Sequence, residues 1–97
     1  MKLRFTPRAI SNIADIADYL HARNPAAADR VRSAIYDGIQ SLILFPHVGR
    51  RQHVPGVRRI VTKTYPYLIY YTVDETAGEI VILNVKHSSR EREYLDL

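Results

Sequence analysis

The sequence predicts an α+β fold in which paired helices precede an antiparallel sheet. Three observations lead there. Two segments opened by proline, near the N-terminus, carry apolar residues at spacings of three and four. The C-terminal half instead holds β-forming runs, residues 67–73 and Glu79–His87. Between those runs lies Asp74-Glu75-Thr76-Ala77-Gly78, a five-residue hairpin loop.

Taken in order, Lys2, Leu3, Arg4 and Phe5 alternate basic and apolar, which gives a short strand with one buried face. Thr6 and Pro7 form a helix start, Thr6 as N-cap and Pro7 at the first helical position. Ile10, Ile13, Ile16, Ala17 and Leu20 then make one stripe, so a helix spans about residues 7–22. Asn24-Pro25 repeats the punctuation and opens a second helix with Val31, Ala34, Ile35, Ile39, Leu42 and Ile43 as its stripe. So short a link folds the two helices back as an antiparallel hairpin. Gly38 lies inside the second helix, and close helix–helix contact is the expected reason.

Residues 45–57, with two prolines and two glycines, form a basic loop. Residues 58–64 alternate weakly as a strand, and Pro66 marks a turn or bulge before the next one. The run Ile80-Val81-Ile82-Leu83 has no polar alternation, so it suits an internal strand buried on both faces. The first strand is expected to pair beside it. The predicted architecture is a short N-terminal strand, an antiparallel helical hairpin and a three-stranded antiparallel meander, all in one domain spanning residues 1–97.

Composition limits the function classes. The chain has 97 residues, 46% hydrophobic and 25% charged, which is ordinary globular usage. A net charge of +4 and a pI near 9.6 favour an acidic partner, nucleic acid or protein. There is no cysteine, so disulfides and thiol chemistry are excluded. No apolar run approaches the ~20 residues that span a bilayer, and the N-terminus has no signal-peptide pattern. A cytoplasmic protein without membrane contact is expected.

The histidines, at 21, 47, 53 and 87, have no metal-ligand spacing, and no phosphate-binding glycine motif or nucleophile elbow occurs. No metal and no cofactor are expected. Two basic groups stand out: Arg50, Arg51, Arg58, Arg59 and Lys63 after the helices, and Lys86, Arg90 and Arg92 around the end of the last strand with His87. Each charge singly reads as solvated surface. Adjacent strands could carry both groups to one face or end of the sheet, making a surface that grips phosphates or carboxylates. Seven tyrosines, five of them after residue 64, divide between sheet packing and stacking or interface roles. Metal-free RNA cleavage needs a base, an acid and cations on the phosphate. Arg58, Lys63, His87, Arg90 and Tyr94 supply those residue types, but no spacing demands that use.

Several stretches resemble a known family when read together. They are Thr6-Pro7-Arg8-Ala9, Asp18-Tyr19-Leu20, Asn24-Pro25 with its alanines, Phe45-Pro46-His47-Val48-Gly49-Arg50, Tyr67-Leu68-Ile69-Tyr70-Tyr71, and Val85-Lys86-His87 with Arg90. In this order they are similar to toxins of the RelE/ParE superfamily from bacterial type II toxin–antitoxin modules, over nearly the whole chain. The resemblance implies a cognate antitoxin, ParD-like or RelB-like, in a hetero-oligomeric complex, with growth arrest and plasmid stabilisation as the outcomes. Within the superfamily, ParE-type members inhibit DNA gyrase, and RelE-type members cut mRNA in the ribosome. The 45–50 loop and the strand ending in His87 look more like ParE. This favours a binding toxin over an enzyme, with Arg50, Arg58, Arg59, Lys86, His87, Arg90 and Arg92 as target-binding candidates and no firm catalytic residue. The alternative is a ribosome-dependent endoribonuclease using Arg58, Lys63, His87, Arg90 and Tyr94.

Overall fold

The computed structural model describes residues 1–89. Strand β1 (Lys2–Phe5) leads into helices α1 (Pro7–Arg23) and α2 (Pro25–Leu44), followed by strands β2 (Arg50–Arg51), β3 (Val57–Val61), β4 (Tyr67–Asp74) and β5 (Glu79–His87). The α+β class and helical hairpin follow the sequence expectation. The sheet is larger than expected, because residues 50 and 51 of the anticipated loop pair with β3 and add a fifth strand. Strand β3 is also shifted relative to the 58–64 expectation, since residues 62–66 turn to start β4.

The sheet order is β1-β5-β4-β3-β2. The first strand lies parallel to β5, from Lys2↔Glu79 to Phe5↔Ile82, so β5 is internal as its apolar run requires. The remaining pairs are antiparallel. One irregularity sets the facing of β5. Tyr70 pairs with Asn84 but Tyr71 pairs with Ile82, leaving Leu83 as an extra residue. Ile80, Ile82 and Val85 can therefore all join the core beneath the helices, while Leu83 packs with Val57, Leu68 and Tyr70 on the other face.

The helix ends are built from the residues that their chemistry favours. Thr6 Oγ1 accepts from the Ala9 N–H and also donates to the Leu83 carbonyl, so one hydroxyl caps α1 and fastens it to the bulged point of β5. Asn24 closes α1 through its N–H to the Leu20 carbonyl, and its side chain caps α2 by accepting from the Ala27 N–H. One residue thus ends one helix and starts the next. Ala9, Ile13, Val31, Ile35, Ile39 and Leu42 meet Ile69, Ile80 and Ile82 in the core. Gly38 serves helix-to-sheet approach rather than the expected helix–helix contact: a Cβ there would face Ile69, Ile60 and Thr62 across the sheet.

Candidate functional site

The loop after α2 is tied to the sheet by side-chain hydrogen bonds. It opens with a turn in which the Val48 N–H donates to the Phe45 carbonyl, with Pro46 at the second position, where its fixed φ suits a turn. The Tyr71 hydroxyl reaches up from β4, donating to the Pro46 carbonyl and accepting from the Gly49 N–H, each at 2.9 Å. The Arg58 guanidinium donates to the carbonyls of His47 and Gly49 at 3.1 and 2.9 Å. His47 Nε2 lies 2.9 Å from a Glu75 carboxylate oxygen on the β4–β5 hairpin. Burial pushes the Tyr71 phenol above its ordinary pKa, an effect opposed by the Gly49 hydrogen bond and the Arg58 charge.

These bonds change the meaning of Arg58. It was a candidate for target contact or phosphate binding. Here its hydrogen bonds go to the loop carbonyls, so it positions the loop. Arg50 and Arg51, by contrast, are exposed on the two-residue edge strand β2.

Among the described residues, Arg58 and Arg59 are not gathered with Lys86 and His87 into one cluster. Side chains alternate along a strand, so neighbours Arg58 and Arg59 point to opposite faces. Arg58 lies on the helix side with Ile60 and Tyr71. Arg59 lies on the other side, in a row with Tyr70 and Asn84 across β3, β4 and β5. Arg58 pairs with Tyr71 and His87 with Tyr67. Those points are four residues apart on β4, roughly 14 Å at about 3.4 Å per residue. Lys63 is exposed in the β3–β4 turn, at the His87 end of the sheet. Arg90, Arg92 and Tyr94 lie outside the described residues.

Lys86 and His87 border a cleft of about 790 Å³ between α1 and the end of β5, with Arg8, Asn12, Asp15 and Tyr19 on the helix side. The cleft exists because β1 stops at Phe5 while β5 continues to His87. Past that point the Val85 N–H has no strand partner on that side and donates instead to Asn12 Oδ1 at 3.1 Å. His87 is exposed; its Nδ1 accepts from the Ser89 N–H and lies 2.9 Å from the Ser89 hydroxyl, and its ring meets Tyr67 edge-on. Burial also raises the Tyr67 phenol pKa, with a smaller contribution from Tyr19. Among the described residues, no group of three or more His, Cys, Asp or Glu side chains could hold a metal ion.

Sequence reasoning missed the Tyr71 hydroxyl and Asn12, because both act on residues more than 20 positions away. The only local sign of the Tyr71 contact was a glycine closing a proline turn.

The chain that forms this helical hairpin and five-stranded sheet is a toxin of a type II toxin–antitoxin system. Residues 3–92 match the family described as ParE toxin of type II toxin–antitoxin system, parDE, and the chain belongs to that family. A Sinorhizobium fredii (strain NBRC 101917 / NGR234) protein named "Putative toxin Y4kP" is 29% identical over 90 residues, covering 93% of this chain and 91% of its own. A chain of the chromosomal ParDE system of P. aeruginosa superposes with a TM-score of 0.78 at 26% identity, covering 90% of this chain and 95% of that one. A chain of the intact E. coli RelBE toxin–antitoxin complex superposes with a TM-score of 0.70 at 15% identity, covering 90% and 95%, a likeness of fold. No described helix is long and apolar enough to cross a membrane.

Proposed function

We propose that this protein is a ParE-type toxin that acts by binding, with DNA gyrase as its target in the cytoplasm and a cognate antitoxin as its neutralising partner. The observation that carries the binding reading is the separation of Arg58 from His87. Arg58 is bonded to loop carbonyls, and His87 lies roughly 14 Å away along the strand direction at about 3.4 Å per residue. A phosphodiester held by one of them is out of reach of the other. A supercoiling assay with purified, active gyrase tests the reading. Inhibition at micromolar toxin is the expected result, and undiminished supercoiling would refute it.

The antitoxin reading is supported by the apolar groove between α1 and α2, formed by Phe5, Ile10, Ile13, Ala14, Ala17 and Tyr36. Ile10 is 58% exposed there, and Arg32 and Asp18 line the rim. An amphipathic antitoxin helix fits such a groove, apolar face inward. Acidic side chains on that helix would complement the net positive charge of the toxin.

One arrangement favours the endoribonuclease alternative. His87 and Lys86 share the α1–β5 cleft with Arg8, and Lys63 stands at the same end of the sheet. Primer extension on a translated message would then show codon-linked cuts that disappear with His87→Ala. Intact transcripts during growth arrest would dismiss this alternative.

A further inference from the structure

The α2–β2 loop combines a fixed backbone with exposed apolar side chains. Its backbone is held by the Tyr71 hydroxyl and the Arg58 guanidinium through four hydrogen bonds. Yet Leu44, Phe45 and Val48 are 76%, 62% and 63% exposed. Phe45 and Val48 occupy the first and last positions of one tight turn, which brings their backbones close together and leaves both side chains exposed as an apolar knuckle. Arg50 and Arg51 follow directly, both exposed and, as neighbours on a strand, directed to its two sides. A solvated loop gains nothing from presenting apolar side chains on a fixed backbone. A docking element gains affinity, because the loop does not have to be ordered when the partner arrives.

We propose that the knuckle formed by Leu44, Phe45 and Val48, flanked by Arg50 and Arg51, is the surface that docks the toxin onto its protein target. The occupant is an acidic protein surface with an apolar recess. An aromatic anchor beside arginines is the composition of an interface hot spot. The guanidiniums call for anionic groups opposite them, carboxylates on a protein surface, and their exposure lets them steer the encounter. A nucleic acid would satisfy the arginines but not the aliphatic pair Leu44 and Val48. The inference rests on the gyrase reading above for the identity of the target. It separates that contact from the α1–α2 groove assigned to the antitoxin.

The test uses the full chain, freed from its antitoxin, against purified gyrase. Supercoiling inhibition is measured for wild type, Phe45→Ala/Val48→Ala and Arg50→Ala/Arg51→Ala, with melting temperature and antitoxin binding measured for each. The expected result is that the apolar double variant needs at least tenfold more protein for equal inhibition, while melting and antitoxin binding stay at wild-type values. The arginine variant weakens too, and its deficit shrinks at high salt. Val48→Glu, at an exposed position, gives a second reading without disturbing a buried group, and a similar loss is expected from repulsion. Wild-type inhibition by both Phe45→Ala/Val48→Ala and Val48→Glu would overturn the knuckle while leaving the gyrase reading intact. Loss in the arginine variant alone would also overturn it, assigning an anion such as a nucleic-acid backbone. A dimer of the free toxin that the apolar variant abolishes would make a second copy the occupant instead. Failure of wild type to inhibit gyrase would remove the target reading and, with it, this occupant.

Discussion

The Tyr71 hydroxyl lies 2.9 Å from the Gly49 nitrogen, and a Cβ built on Gly49 would stand 2.5 Å from that same oxygen. The two residues are 22 positions apart and belong to different elements, yet each sets what the other can be. Glycine is required at 49 by close approach, and a phenol at 71 by the backbone groups it satisfies.

Tyr71→Phe should therefore destabilise the fold by about 1–3 kcal/mol, because it leaves the buried Gly49 N–H and the Pro46 carbonyl without the hydroxyl. Urea denaturation measures the loss, and faster amide exchange at Gly49 localises it. Gly49→Ala should cost a comparable amount, about 1–3 kcal/mol, through overpacking against a ring fixed in the core. Wild-type stability in both variants would show that the clamp is weaker than its geometry implies.

Alkaline pH should act through the same ring and its neighbour. Both Tyr67 and Tyr71 are raised by burial above the ordinary phenol value of 10.0. The folded state then keeps these protons more tightly than the unfolded chain. Their contribution is fully present below pH ~10 and is lost as pH rises through the folded pKa values. Denaturation followed from pH 8 to about pH 11 should show falling stability at the top of the range. Tyr67→Phe/Tyr71→Phe should flatten that fall even though the variant starts less stable.

Gly38 gives the opposite sign. A Cβ there would meet Ile69, Ile60 and Thr62 at 3.5, 3.6 and 3.9 Å, which is ordinary contact. Gly38→Ala keeps that packing and removes a helix penalty of about 1 kcal/mol. The melting temperature should rise by roughly 4–8 °C for a domain of this size. A fall would mean that α2 sits closer to the sheet than these distances allow.

Asn12 offers a test of how β5 is completed where β1 ends. Asn12→Ala removes the acceptor of the part-buried Val85 N–H and should cost about 1–2 kcal/mol. Asn12→Asp retains the acceptor oxygens and should recover most of the loss. Amide exchange at Val85 distinguishes this from a general effect on α1, since only loss of the bond exposes that proton.

The helices were legible in the sequence because their causes are local. Thr6-Pro7 and Asn24-Pro25 specify starts through caps and fixed φ, and the apolar stripes follow from the 3.6-residue period. Strand β5 was legible because Ile80, Val81 and Ile82 have no solvent face. Strand β2 was not, since Arg50-Arg51 carries no β signal of its own and becomes strand by pairing with Arg59 and Arg58. At Gly38 the sequence marks a close approach but not its partner, the sheet residues Ile69, Ile60 and Thr62, because spacing shows that a face is small without showing what lies against it.

The candidate site was less legible than the fold. The basic residues were recognised as a group, and alternation could have warned that Arg58 and Arg59 diverge. What the sequence by itself determined is the α+β class, the paired helices and the family resemblance, all of which rest on local propensity and residue order. What only the tertiary structure decided is which basic residues act outward. Arg58 turns inward to the loop carbonyls while Arg50 stays exposed, a difference set by register and by the position of Tyr71. Long-range hydrogen bonds depend on where the strands meet in space, and no short stretch of sequence carries that information.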